Sequence, residues 1–218
     1  MDNYVLPTKP KPSEKYLELI EAYKHLHEDD DKFQGISLIP FAIDIYNIIQ
    51  YNKCKSILDY GCGKGYPYKE QYKYMDHKKK IPNFDKPLHL WWGVEDLFLY
   101  DPGVPHPKPV GKKFEMVISI DVLEHIPLED LGWVIEEIFD FSEKIVFINV
   151  ACYPAERSFA DGSNVHVSVF HPMWWYGFVT KIALNHNKKC FLVCSTFENK
   201  KFEFINFAIN DDFKNYTN

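Results

Sequence analysis

Two short stretches carry the residue types that chemistry needs. The first is Ile57-Leu58-Asp59-Tyr60-Gly61-Cys62-Gly63-Lys64-Gly65. An apolar run that stops in a glycine turn lets a ligand lie against backbone N–H groups, because no side chain stands in the way. Asp59, just before the glycines, would repel a pyrophosphate and suits a ligand that carries positive charge. The second is Asp121-Val122-Leu123-Glu124-His125, directly after the apolar run 116–120. An imidazole can take a proton from a hydroxyl or amine near neutral pH. Glu124 and His125 are therefore the candidate catalytic groups. A purely structural His125, bonding backbone and orienting its turn, is the competing reading.

The elements that must position these groups can be read from pattern. Residues 56–60, 97–100, 116–120 and 145–150 are short apolar strands, interleaved with helices or loops, which implies a mostly parallel α/β sheet. Residues 190–197 and 202–209 read as two strands joined by 198–201, a closing antiparallel hairpin. Ser13 sits where an N-cap would, ahead of a helix that the acidic run 28–31 closes. Ser37 opens a second helix, 127–142 is helical by its apolar face, and Pro172 fits the first turn of a last one. Residues 102–113, with Pro102, Pro105, Pro107 and Pro109, are loop. So is 151–169, where Asn164 and His166 are candidate substrate contacts. The polar, Lys- and Tyr-rich stretch to Lys80 is a weak helix.

Composition narrows the partners. The 218 residues carry Lys+Arg 25 against Asp+Glu 31, a net charge of −6, and Arg157 is the only arginine. An acidic chain with one guanidinium suits nucleic acid poorly. Five cysteines, odd in number and without a C-x-x-C pair, point to a reducing compartment rather than a disulfide framework. No secretory leader and no membrane-length apolar run can be read, so the expectation is a soluble cytoplasmic protein. The aromatic count (Phe 17, Tyr 14, Trp 5) calls for a large aromatic core, and Tyr60, Tyr66, Tyr100, Trp174 and Trp175 are placed where a pocket wall could use them.

The run 59–65 resembles the first motif of class I S-adenosylmethionine-dependent methyltransferases, and 113–127, ending in Asp121-Val122-Leu123-Glu124-His125-Ile126-Pro127, resembles their post-core motif. The resemblance covers about 33–210. It implies a Rossmann-like class I methyltransferase fold, with N-terminal helices and a seven-stranded sheet whose last strand is reversed. Residues 1–32 would be an arm and helix, and 33–218 the methyltransferase domain. It also implies S-adenosylmethionine as cofactor, held by Asp59, Gly61, Cys62, Gly63, Gly65, Asp101, Asp121 and Val122. Asp101 would accept from the ribose hydroxyls.

One departure stands out. Asp101 lies 42 positions past Asp59, where dinucleotide-type folds place the acid about 20 past the glycine turn. Either the first crossover is long and the next one trimmed, or Asp101 is a later acid near the adenine amine and Glu95 or Asp96 takes the ribose. Some relatives place a divalent cation on a similar acid-x-x-Glu-His group. Asp121, Glu124 and His125, with His166 or His171, have that spacing, but no metal ligand is assigned. The expected reaction is methyl transfer to an oxygen or nitrogen of a small molecule. A nucleic-acid methyltransferase and a non-catalytic cofactor-binding or interaction module are the alternatives.

Overall fold

The computed structural model describes residues 12–29, 33–69 and 86–211. The residues before 12, the end of the acidic run and the Lys- and Tyr-rich stretch from 70 lie outside them. Ser13 caps α1 (Glu14–His27), its Oγ accepting from the Tyr16 amide. A 3-10 turn, Ile36–Phe41, precedes α2 (Ala42–Asn52). The sequence reading starts that helix at Ser37. Pro40, which has no N–H to give to an i−4 carbonyl, lies inside the 3-10 turn, and the regular helix starts only after it is passed.

The strands are β1 (Ser56–Tyr60), β2 (Asp96–Tyr100), β3 (Phe114–Ile120), β4 (Ser142–Ala151), β5 (Lys189–Glu198) and β6 (Lys201–Ile209). They form one sheet in the order β2-β1-β3-β4-β5-β6, parallel except for the antiparallel β5–β6 pair. The turn of that hairpin is Asn199-Lys200, both with positive φ, which matches the twist of the two strands. This is an α/β architecture consistent with a Rossmann-like fold. The sheet has six strands among the described residues, not the seven that the resemblance implies. The proline-rich segment after β2 leaves no room for a further helix and strand there. Its last strand is reversed, as expected.

Both faces of the sheet are covered. α4 (Leu128–Phe141), α5 (Pro172–His186) and Tyr16 of α1 pack on one side with Trp175 fully buried; α2 and α3 (Leu88–Trp92) pack on the other with Trp92 fully buried. Two-sided burial is what the continuous apolar strands require. Trp174 stacks between Phe170 and Phe178. Trp174 and Trp175 are therefore packing residues and not a pocket wall.

α1 is fastened to this core at its start. The buried Asp130 carboxylate of α4 accepts from the Ser13 amide at 2.9 Å, from the Ser13 hydroxyl, and from Trp133 Nε1 at 2.6 Å. Removing the acceptor strands three donors, each worth roughly 1–3 kcal/mol when left unmade. Asp130→Ala is expected to lower the urea midpoint and to speed amide exchange in α1 before the sheet; equal acceleration everywhere would count against this fastening.

Candidate functional site

Parallel strands end at one edge of a sheet, and the register sets which residues meet there. Tyr60 pairs with Tyr100, so the glycine turn after β1 lies beside Asp101 after β2, with Asp121 after β3 on the other side. A cavity opens at this edge. Asp59, Gly61, Cys62, Gly63, Asp101, Asp121, Val122 and His125 all line it. Gly65 and Glu124 do not. Asp101 follows the second strand, which favours the reading with a long first crossover. Glu95 and Asp96 stand at the opposite end of β2, in exposed pairs with Lys55 (3.0 Å) and Lys112 (2.7 Å), and cannot share the site.

The turn differs from the expected N–H cradle. The amides of Gly61 and Cys62 donate to Tyr100 O, that of Gly63 to Asp101 Oδ2 (2.9 Å), those of Lys64 and Tyr66 to Phe33 O and Gln34 O, and that of Gly65 to Cys62 O. Each N–H from 61 to 66 is thus already taken. The glycines serve close packing: a Cβ on Gly63 would stand 2.3 Å from Phe33 O, and one on Gly61 2.3 Å from Val122 Cγ2. Both have positive φ. What remains for a ligand is carboxylate. Asp59, Asp101 and Asp121 line the cavity, and among the described residues no lysine or arginine does.

These acids are held differently. Asp59 is buried, with Tyr68 Oη donating to it at 2.8 Å, and burial pushes its pKa up to about 7, against the pull of that bond. Asp101 accepts from the amides of Gly63 and Gly103. For Asp121, burial works upward, but the neighbouring Glu124, His125 and Ser37 outweigh it and hold the carboxyl below its usual range. Ser37 Oγ donates to it at 2.9 Å.

Glu124, expected as a catalytic group, is fully buried and reaches neither cavity. Its Oε1 accepts from the Ala151 amide at 2.7 Å, tying the turn after β3 to the end of β4. Burial first, then the Asp121 charge, raises its pKa well above the carboxylate range. Its Oε2 lacks a donor, and a proton kept on Glu124 and shared with Asp121 satisfies both. The Cys62 thiol is also pushed well up by burial, so it is a packing group and not a nucleophile.

His125 is held at one ring nitrogen. Its Nδ1 lies 2.6 Å from Tyr23 Oη and 2.9 Å from Val165 O, and Tyr23 Oη donates to the same carbonyl. A carbonyl only accepts, so Nδ1 carries the proton and Nε2 keeps a lone pair. His166 repeats the device, its Nδ1 donating to Tyr153 O at 2.6 Å. The two rings stand 4.8 Å apart, edge to face. Asp121, His125 and His166 offer ligand atoms all within 4.8 Å of one another, a set that could hold a cation. Glu124 and His171 do not join it: His171 is exposed and caps α5 by accepting from the Met173 amide.

A second cavity of about 500 Å³ opens on the other side of this cluster. Phe33, Gly35, Ser37, Asp121 and His125 line both. His166 lines the second. Asn164, expected as a substrate contact, is a loop clamp, bonded both ways to the Ala155 backbone and to the His166 amide. The pocket aromatics are not those read from the sequence. Tyr60, Tyr66 and Tyr100 line neither cavity. Instead α1 roofs the first one with Tyr16, Tyr23 and His27, His27 stacking on Phe33 at 4.4 Å. About 120 Å³ stays open beneath this roof.

Burial lowers the His125 pKa from 6.5 to about 4, despite the help of Asp121. A folded pKa below the unfolded one means that the unfolded chain binds the proton first as pH falls. From pH 6.5 down to about 4 this residue alone is expected to cost the fold about 3 kcal/mol. Urea titrations of wild type and His125→Gln over that range check it, and an unchanged acid slope in the variant would contradict the assignment. Searches against protein-family models, curated proteins and solved structures return no match to this chain.

Proposed function

We propose that this protein is an S-adenosylmethionine-dependent methyltransferase that acts on an oxygen or nitrogen of a small molecule. The observation that carries the reading is the cation-seeking cavity at the carboxyl ends of β1, β2 and β3, lined by three carboxylates and, among the described residues, by no lysine or arginine. Such a lining disfavours nucleotide phosphates and favours a ligand with an ammonium, a sulfonium and paired hydroxyls. Asp59 would hold the ammonium. Asp101, the acid after the second strand, would hold the ribose hydroxyls, since one carboxylate can accept from two donors.

S-adenosylmethionine, held by Asp59 and Asp101, would supply a methyl group to the acceptor's oxygen or nitrogen, its sulfur leaving as a neutral thioether. The protein aligns the reactants, excludes water, and accepts the proton that the acceptor releases. The Nε2 of His125 or of His166 is the receiving atom. Glu124 serves as a positioning group, keeping Asp121 ionised and the turn in place.

The two perturbed groups separate the pH profile. A carboxyl at about 7 must lose its proton to hold a cation, whereas His125 stays in its basic form down to about 4. Cofactor affinity, and kcat/KM for the cofactor, are expected to fall below pH 7, while kcat at saturating cofactor does not. Asp59→Asn is expected to weaken calorimetric binding of S-adenosylmethionine about tenfold or more and to flatten its pH dependence. Absence of binding by wild-type protein at millimolar ligand would overturn the proposal.

A second reading rests on the Asp121, His125 and His166 cluster. A divalent cation held there would supply Lewis-acid activation of an acceptor hydroxyl. Calorimetric titration with zinc and with manganese is expected to give one site per chain that His166→Ala removes. Heat that survives this substitution would place the ion elsewhere.

A further inference from the structure

The second cavity has features that the core does not explain. Phe197 and Phe202 sit beside the β5–β6 turn, packed on one another at 4.8 Å and on Tyr153 at 6.0 and 5.6 Å, yet their residues are 45% and 59% exposed. Large rings left in water at a cavity mouth mark a surface that a ligand covers. The chain's single arginine lines the same cavity. Arg157 lies on a loop of fixed shape: its carbonyl accepts from the Val165 amide, Ser158 bridges Asn164, and Asn164 clamps Ala155. The guanidinium stands 6.0 Å over the Phe33 ring, and among the described residues it has no carboxylate partner. Elsewhere the chain uses lysine for its positive charge. Arginine differs from lysine in its planar fork, which grips a carboxylate or phosphate with two bonds.

We infer that this cavity is an acceptor subsite for a ring compound bearing an anionic group, with Arg157 gripping the carboxylate or phosphate and Tyr153, Phe197 and Phe202 covering the ring. The inference rests on the methyltransferase reading for its chemistry, because Asp121 and His125, which line both cavities, set the junction at which an acceptor so held would meet the methyl donor, with His166 on the acceptor side. Uncharged acceptors of the same shape lose the guanidinium contact. The ring can be aromatic or a sugar, since both present an apolar face, and the anion can be either group.

The test compares acid and neutral partners: para-hydroxybenzoate with para-hydroxybenzamide, glucuronate with glucose, and phenyl phosphate with phenol. Binding is measured by ligand-observed NMR on the full chain, alone and with S-adenosylhomocysteine. At least one acid is expected to bind about tenfold tighter than its neutral partner. The responding pair identifies the ring and the anion. Arg157→Gln is expected to erase the preference, and Arg157→Lys to keep part of it, with the affinity for S-adenosylhomocysteine unchanged in both. The inference is overturned if no acid outbinds its partner, or if Arg157→Gln leaves the preference intact. A wild-type chain that ignores S-adenosylhomocysteine but still prefers the acids would fail the methyltransferase reading and spare the anion site.

Discussion

Like charges crowded at the edge of a parallel sheet are the constraint around which this molecule is arranged. Neighbouring strands lie about 4.8 Å apart, so three adjacent strands that each end in an acid bring three carboxyls to one rim. Repulsion and burial both work against that. The protein answers with a different device for each: a buried phenol for Asp59, two backbone amides for Asp101, and a hydroxyl plus a proton-sharing neighbour for Asp121. The 3-10 turns at 36–41 and 66–68, and the buried Glu124, exist in this geometry to supply those partners. A rim of this kind favours positive charge beside it.

Much of this was legible in the sequence because it is local. A strand, its following turn and the acid at its end are contiguous, so β1 with Asp59 and the glycines, β2 with Asp101, and β3 with Asp121 could all be read in one dimension. The closing hairpin and the trimmed middle were readable for the same reason. The unread part is long-range. Tyr23 meets His125 across 102 positions and Val165 across 142, and nothing in a helix of ordinary amphipathic pattern announces that its tyrosine will hold a histidine in another segment. The phenylalanines at the hairpin turn were hidden likewise, whereas the segment from Phe33 to Ser37 was readable as a cover for the cavity because it directly precedes the sheet. The aromatics nearest the motifs were the natural pocket candidates, but side chains inside a two-sided sheet point into the core.

Two residues show how chemistry-bearing types serve as framework. Glu124 stands one position from His125, yet that one step of the 3-10 turn, about 120°, faces it inward, where a backbone amide takes it. Asn164 has the amide group suited to a ligand and uses both ends of it on its own loop. Spacing alone cannot separate such uses, because which way a side chain leaves a 3-10 turn or an irregular loop is settled by the neighbours it finds there.

Shortening the sheet on its β2 side also bears on solubility. Among the described residues β2 is an edge, and an edge strand with unpaired amides is a template for another chain. Here the edge is only five residues long. Lys112 puts a charge on it, paired with Asp96 at 2.7 Å and 5.8 Å from the Phe98 ring. Prolines at 102, 105, 107 and 109 follow at once, and none of them can donate to a new ladder. The proline-rich segment after β2 therefore doubles as a guard against edge-to-edge aggregation.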